Sequence, residues 1–155
     1  MAIEQAKDAA LRYLTHRMRA AGEVRRHLLQ KGYAHDEVEA VLDFLFEYEF
    51  LDDLAFAEAF VRDKLRFHPQ GSLKLRQGLR QKDVPETIID RALARNYPPD
   101  LQRRFAALFY KEACRRGKDD LSARRFLAQK GVPGDIIAEI PERWAKQLDR
   151  KPRET

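Results

Sequence analysis

One nine-residue pattern occurs once in each third of the chain, and it restricts the fold more than any other feature of the sequence. The pattern is Arg-x-x-Leu-x-Gln-Lys-x followed by an apolar or aromatic residue, and its copies span residues 25–33, 76–84 and 124–132. The copies begin about fifty residues apart, a period typical of tandem repeats rather than of an enzyme with one core. We therefore predict three repeats, spanning residues 1–48, 49–98 and 99–155, the last with a C-terminal tail.

Apolar residues spaced three and four positions apart lie before and after each copy of the pattern, as on the buried face of an amphipathic helix. The stripes before it are Leu11, Leu14 and Met18; Ala57, Phe60, Val61 and Leu65; and Leu101, Phe105, Leu108 and Phe109. The stripes after it are Val38, Val41, Leu42 and Leu45; Ile88, Ile89, Ala92 and Leu93; and Ile136, Ile137 and Ile140. The sequence thus predicts an all-α protein of about nine helices, in which three tandem three-helix repeats form an elongated, curved helical array.

The helix that carries the pattern should end at the same position in each repeat. Gly32 and Gly131 follow the pattern lysine in the first and third repeats. Glycine there suits the left-handed backbone conformation that often closes a helix. Asp83 stands at this position in the second repeat, and aspartate tolerates that conformation less well than glycine.

Residue types used in catalysis or metal binding are not arranged for either role. The four histidines show no metal-ligand spacing with one another or with the single cysteine. The sequence contains no glycine-rich phosphate loop, serine elbow or His-Glu-x-x-His helix. The adjacent carboxylates Asp52-Asp53 and Asp119-Asp120 could hold a metal, but each pair stands where a helix begins, so helix capping explains them better. The sequence predicts a protein that is not an enzyme and that uses no metal or cofactor.

Basic residues recur at matching positions of the three helices that carry the pattern. Because Leu28, Leu79 and Leu127 fix the buried side of these helices, most of the cations should point outward. We predict that they form a basic stripe that binds a partner, although ordinary solvated helix faces kept after duplication would look the same. The stripe consists of Arg25, Arg26, Lys31, Lys74, Arg76, Arg80, Lys82, Arg124, Arg125 and Lys130.

The overall charge suits an acidic partner. The formal net charge is +5 at pH 7, and residues 99–155 account for it because acidic and basic residues nearly balance in the first two repeats. Such a charge fits a nucleic acid or an acidic protein surface, but it is too modest to predict tight DNA binding by itself.

Aromatic residues were the other candidates for contact with nucleic acid, since bases stack on exposed rings. Phe44, Phe46, Tyr48 and Phe50 crowd the end of one predicted helix, where we expect them to pack against the next repeat. Phe67 and Tyr97 lie near the joints between repeats and are left as candidates for stacking.

Features of secreted and membrane proteins are missing from the sequence. No apolar run is long enough to cross a membrane, and the N-terminus lacks the layout of a signal peptide. The single Cys114 cannot form an internal disulfide, which fits a reducing compartment. We expect a cytoplasmic monomer without membrane contacts.

Several segments together resemble the RecX family of regulatory proteins, which modulate the bacterial recombinase RecA. The resemblance rests on residues 50–57 (FLDDLAFA), on Phe60-Val61-Arg62-Asp63-Lys64, on Gly71 leading into residues 75–82 (LRQGLRQK), and on residues 124–132 (RRFLAQKGV). These segments occur in the family's order and cover nearly the whole chain. Two positions depart from the family's pattern: Glu49 and Asp83 stand where glycine is usual.

This resemblance implies a protein of three tandem three-helix units that binds RecA filaments on DNA and inhibits strand exchange, ATP hydrolysis and coprotease activity. Some members of the family also bind DNA, so single- or double-stranded DNA is a second expected partner. Two alternatives stay open from the residues alone. One is a sequence-tolerant DNA-binding or architectural protein that acts without a recombinase, and the other is a helical scaffold for a different acidic protein.

Overall fold

The computed structural model describes residues 2–141, and every regular element in this range is an α-helix. The nine helices of this range are α1 (Ala2–Leu14), α2 (Ala21–Gln30), α3 (His35–Glu47), α4 (Asp53–Phe67), α5 (Ser72–Gln81), α6 (Glu86–Asn96), α7 (Pro99–Arg115), α8 (Asp120–Gln129) and α9 (Gly134–Glu139). The three copies of the pattern begin on α2, α5 and α8, and no strand occurs between residues 2 and 141. The prediction of an all-α helical repeat protein is confirmed.

Contacts between residues divide the chain into two compact units. Unit one comprises residues 2–60 together with Gly78–Ala92, and unit two comprises Val61–Gln77 together with residues 93–141. The three helices of the middle repeat are therefore shared between the two units. The repeat boundaries at residues 48 and 98 stay a prediction.

In unit one, helices α1, α2 and α3 pack against one another in every pairing. Helices α2 and α3 bury apolar side chains at helical spacing, as predicted for α3: Val24, Leu28, Val38, Val41, Leu42 and Leu45. The predicted stripe on α1 is only partly correct, since Leu11 and Leu14 pack against the core but Met18 does not. The helix buries Ala6, Ala9 and Ala10, while Leu11 and Leu14 are only partly buried and Met18 lies beyond its end, exposed. Small alanine side chains let α1 lie close to its neighbours.

In unit two, helices α7, α8 and α9 form a second three-helix core. Its buried residues are Ala106, Phe109, Tyr110, Ala113, Ala123, Leu127, Val132, Ile136 and Ile140. Leu108, predicted to be buried, is exposed. It lies on the opposite face of α7 from Ala106 and Phe109, since successive helical residues are about 100° apart.

The turn that ends the pattern is the same in all three copies. Gly32, Asp83 and Gly131 all have left-handed backbone conformations, with φ of 94°, 58° and 88°. The leucine three residues before each pattern lysine, at positions 28, 79 and 127, is fully buried in each copy. Each copy of the pattern therefore ends its helix with the same turn, including the second copy, where aspartate replaces glycine.

Candidate functional site

Three of the ten predicted partner-binding cations form ion pairs at the protein surface. Arg25 Nε donates to Glu39 Oε1 at 2.8 Å, and Arg80 forms an ion pair with Glu86. Arg26 forms an ion pair with Asp83 and also donates to the carbonyl oxygen of Gln81 at 3.1 Å. The side chains of these pairs are well exposed, so each pair contributes little to stability and its cation can exchange its carboxylate for an anion of a partner.

Lys82 forms an ion pair with a buried carboxylate, that of Glu23, instead of pointing into solvent. Its Nζ lies 3.3 Å from Glu23 Oε2, and the Glu23 side chain is only 8% exposed. The same oxygen accepts a hydrogen bond from Arg17 at 2.7 Å, and Glu23 Oε1 accepts one from the backbone N–H of Ala20, at the start of α2. Glu23 therefore joins the N-terminal end of α2 to the turn after α5, both within unit one.

The charge of Glu23 should contribute to the pH dependence of stability. Burial raises the pKa of this carboxyl, but the hydrogen bonds from Arg17 and Ala20 and the charge of Lys82 outweigh burial, and the net pKa is lowered. A carboxyl with a lowered pKa stabilises the folded state above its unfolded pKa, and this stabilisation disappears as the pH falls through the folded pKa.

We expect Glu23→Gln to lower the free energy of unfolding by about 2 kcal/mol at pH 7. The difference from the unaltered protein should shrink as the pH falls below the usual range of a glutamate. Urea unfolding followed by circular dichroism at a series of pH values measures this. Glu39→Gln, which removes only the exposed partner of Arg25, is the matched control and should have a small effect. A loss of stability that is the same at every pH contradicts the assignment to the Glu23 charge.

Arg124 holds the end of a helix in unit two. Its Nη1 and Nη2 donate to the carbonyl oxygens of Ile137 and Ile140 at 2.7 and 2.6 Å, and its Nε lies 3.1 Å from both carboxylate oxygens of Asp120. The side chain is 20% exposed. All three nitrogens are thus engaged, and the expectation that this cation points outward is not met.

The remaining predicted cations divide into available and engaged groups. Lys31, Lys74 and Arg125 are exposed and have no ion-pair partner among residues 2–141. Lys130 is partly buried, with its Nζ over the rings of Phe109 and Phe126. Arg76 is partly buried and has partners within the protein. Unit one therefore presents Lys31 to solvent, and unit two presents Lys74 and Arg125.

The aromatic residues are placed differently from the prediction. Phe46, Tyr48 and Phe50 are exposed, and only Phe44 of that group is partly buried. The rings of Tyr48 and Phe50 have their centres 4.9 and 6.3 Å from that of Phe44. Tyr97 is 1% exposed and its hydroxyl donates to the Gln70 carbonyl at 2.8 Å, so this residue has no free face for stacking. Phe67 is 63% exposed, so it stays a candidate.

Both carboxylate pairs are occupied by the protein's own groups. Asp52 and Asp119 accept hydrogen bonds from backbone N–H groups three residues later, as helix-capping residues do. Asp53 accepts a hydrogen bond from Ala21 at 2.8 Å, and burial raises the pKa of its carboxyl. Asp120 accepts one from the Tyr110 hydroxyl at 2.6 Å, which lowers its pKa. The capping interpretation is confirmed for the first member of each pair.

Two kinds of structural feature are absent from residues 2–141. No group of three or more histidine, cysteine, aspartate or glutamate side chains is placed to hold a metal ion. No helix in this range is both long and apolar enough to cross a membrane.

Comparison with protein families gives two adjacent matches. Residues 6–45 match the model of the first three-helix domain of RecX, and residues 52–93 match the model of its second three-helix domain. The first match covers α2 and most of α1 and α3. The second covers α4, α5 and most of α6.

Curated relatives described as regulatory protein RecX match over most of the chain. The relative from Vibrio campbellii is 33% identical over 136 residues, which cover 85% of this chain and 86% of the relative. The relative from Prosthecochloris aestuarii is 40% identical over 104 residues, covering 67% of this chain and 68% of the relative. The relative from Geobacillus kaustophilus is 33% identical over 98% of this chain, but the chain spans only 58% of that protein's length.

Two solved structures share the fold. One, described as the crystal structure of regulatory protein RecX, is 26% identical with a TM-score of 0.80, over 90% of this chain and 71% of that one. The other, RecX from Lactobacillus salivarius, is 24% identical with a TM-score of 0.82, over 96% of this chain and 97% of that one. The helical array is therefore a fold that other proteins share.

Proposed function

Since the chain belongs to the RecX family of regulatory proteins, we propose that it is a non-enzymatic regulator that binds RecA filaments on DNA and inhibits their activities. The inhibited activities would be strand exchange, ATP hydrolysis and coprotease activity, and its place would be the cytoplasm, as a monomer. Family membership supports the choice of RecA as the partner. The side chains of this protein suggest how the contact is made.

The observation that carries the proposed contact is a set of exposed cations that form no ion pair within residues 2–141. We call these the open cations: Lys31, Lys74 and Arg125. A recombinase filament on DNA offers carboxylates and phosphates, and an exposed cation without an ion pair loses no internal contact when it meets them. The surface-paired Arg25, Arg26 and Arg80 form a second set that can exchange partners. Arg124 and Lys82 hold the fold and are left out of the proposed contact.

The repeated architecture suits a repeated partner. Each of the three repeats presents one open cation, although at a different position relative to the pattern, and a filament presents equivalent subunits. Contacts that are individually weak add up strongly when they are linked in one chain, because each later contact forms at a high effective concentration. Inhibition would then follow if the bound protein favours one conformation of the filament subunits over another.

We expect the triple charge reversal Lys31→Glu, Lys74→Glu, Arg125→Glu to raise the protein concentration needed for half-suppression of RecA ATPase by roughly tenfold. The assay is RecA ATP hydrolysis on single-stranded DNA with increasing amounts of the protein. Each reversal replaces an attraction to the filament by a repulsion without breaking an ion pair within residues 2–141, so the variant should fold.

A second triple variant supplies the control. Arg104 and Lys111 are exposed on α7, and Arg12 is exposed on α1; all three lie outside the stripe. Reversing these three to glutamate changes the net charge by the same amount, and suppression should stay close to that of the unaltered protein. Equal loss of ATPase suppression in both variants would show that overall charge, and not these three positions, determines suppression. Full suppression by the folded first variant contradicts the proposed contact.

The alternative function, DNA binding without a recombinase, differs in its response to salt. Affinity that comes from neutralised phosphates falls steeply as salt concentration rises. Titration of the protein onto naked DNA and onto RecA-coated DNA, each at several salt concentrations, compares the two functions. Stronger binding to naked DNA than to RecA-coated DNA favours the alternative.

A further inference from the structure

A groove in unit two brings together three candidate residues from three different parts of the chain. Phe67 ends α4, Lys74 lies on α5, and Lys130 follows the last residue of α8, yet all three line one cavity of about 480 Å³. Phe109 and Glu112 of α7 line the same cavity. This volume is within the range of cavities that bind small ligands, and it is large enough for one nucleotide.

Backbone contacts hold the groove in shape. The N–H of Gly71 donates to the Lys130 carbonyl at 2.7 Å, and the N–H of Leu73 donates to the Gly131 carbonyl at 2.9 Å. The stem of Lys74 lies against Gly131, because a Cβ atom on Gly131 would be 2.8 Å from both Cβ and Cγ of Lys74. The two lysines are therefore positioned by packed backbone rather than by a long loop.

The groove combines an open aromatic ring with two ammonium groups. Phe67 is 63% exposed, and the Arg66 guanidinium lies 5.2 Å from the centre of its ring. Lys74 has no ion-pair partner among residues 2–141. The Lys130 Nζ lies 5.2 Å from the centre of the Phe109 ring, which forms the buried wall. An exposed ring beside two cations matches a ligand that has both an aromatic face and negative charge.

We propose that this groove binds an unpaired nucleotide of single-stranded nucleic acid, with its base on Phe67 and its phosphates beside Lys74 and Lys130. Bases of any sequence can stack on an aromatic side chain, whereas the bases of a duplex are already stacked on each other. An acidic peptide would satisfy the lysines but would leave Phe67 without a stacking partner. The proposal does not depend on contact with a recombinase.

The negative charge of Glu112 is unfavourable for the proposed ligand, so removing this charge is a test of the proposal. Glu112 Oε1 accepts a hydrogen bond from Arg116 at 2.9 Å, which offsets part of its charge. The carboxylate still lines the groove and repels a phosphate. We expect Glu112→Gln to tighten binding, an effect that a purely structural groove would not show.

Fluorescence anisotropy with a labelled oligothymidylate, in the absence of recombinase, tests the proposal. Phe67→Ser should weaken binding by roughly tenfold, the loss expected for one stacked base. Tyr48→Ser is the matched control, because Tyr48 is 61% exposed but lies in unit one, and it should bind normally. Lys74→Gln should reduce the slope of the logarithm of the binding constant against the logarithm of the salt concentration by about one unit, whereas Arg104→Gln should leave this slope unchanged.

Three results would overturn the proposal. One is unchanged binding by Phe67→Ser, which should fold because the side chain is exposed; its circular dichroism spectrum confirms folding. The second is equally tight binding to duplex DNA of the same length, and the third is equally tight binding to free thymidine monophosphate. Because no recombinase is present, failure of the proposed RecA contact leaves this result unaffected.

Discussion

Replacing Arg124 with leucine is expected to lower the free energy of unfolding by about 3 kcal/mol, because it removes two hydrogen bonds from a charged donor in a partly buried network, each worth roughly 1.5–3 kcal/mol. The guanidinium donates to the carbonyl oxygens of Ile137 and Ile140, at the end of α9. The Ile137 carbonyl also accepts a hydrogen bond from the Ile140 N–H at 3.1 Å, whereas carbonyls beyond the last turn of a helix depend on groups such as this guanidinium. The six-residue α9 is too short to be stable alone and needs such contacts.

The neighbouring residue supplies the control for this prediction. Arg125 is exposed on the same helix, has no ion-pair partner among residues 2–141, and is one of the open cations. Arg125→Leu should therefore change stability by less than about 0.5 kcal/mol. Arg124→Lys should restore little of the loss, because lysine carries one charged nitrogen and cannot reach two carbonyls and a carboxylate together. Thermal unfolding followed by circular dichroism, with hydrogen exchange of α9, compares the three variants; equal stability of Arg124→Leu and Arg125→Leu contradicts the assignment.

The pair Arg124 and Arg125 shows what the sequence could and could not predict about the site. Repetition at matching positions identified Arg124, whereas the position of Arg125 is basic only in the first and third repeats. Spacing from Leu127 placed the buried side of this helix correctly. The partner of a long side chain depends on which group the neighbouring helix brings within reach. Arg25 occupies the position of Arg124 in the first repeat, yet it meets an exposed glutamate rather than the end of a helix.

The fold was more predictable than the site because helical periodicity and helix ends are local properties of the sequence. The three turns at Gly32, Asp83 and Gly131 adopt one conformation, and each buries the same leucine of the pattern. Asp83 keeps that conformation while its carboxylate pairs with Arg26. No spacing in the sequence predicts this exposed pair.

The errors in the fold arise where residue size misleads. On α1 the large residues Leu11 and Leu14 were assigned to the buried face and are only partly buried, whereas the small residues Ala6 and Ala10 are fully buried. The same reasoning expected Tyr48 to be packed, although it is exposed. Burial depends on whether another element covers a side chain, and the sequence around that residue does not contain this information. The groove of Phe67 was missed for the same reason, since its residues come from separate helices.

Gly71→Ala is expected to destabilise the protein by about 4 kcal/mol, through a steric clash with backbone and the loss of hydrogen bonds around it. A Cβ atom at this position would lie 2.1 Å from the carbonyl carbon of Gly131 and 2.3 Å from the backbone nitrogen of Val132. Backbone cannot rotate away as a flexible side chain can. The segments must separate, which also breaks the hydrogen bonds from Gly71 to Lys130 and from Leu73 to Gly131.

Alanine substitutions at two other glycines are the controls that distinguish this clash from the general effect of adding a methyl group. Gly32 has φ of 94° but no atom within 4 Å of the added Cβ, so Gly32→Ala should cost about 1 kcal/mol from backbone strain alone. Gly134 begins α9 and also has open space around it, so Gly134→Ala should be neutral or slightly stabilising. Urea unfolding should therefore rank the losses as Gly71, then Gly32, then Gly134. If Gly71→Ala costs no more than Gly32→Ala, the close approach of the two segments is not a feature of the protein in solution, and the groove that they shape loses its support as well.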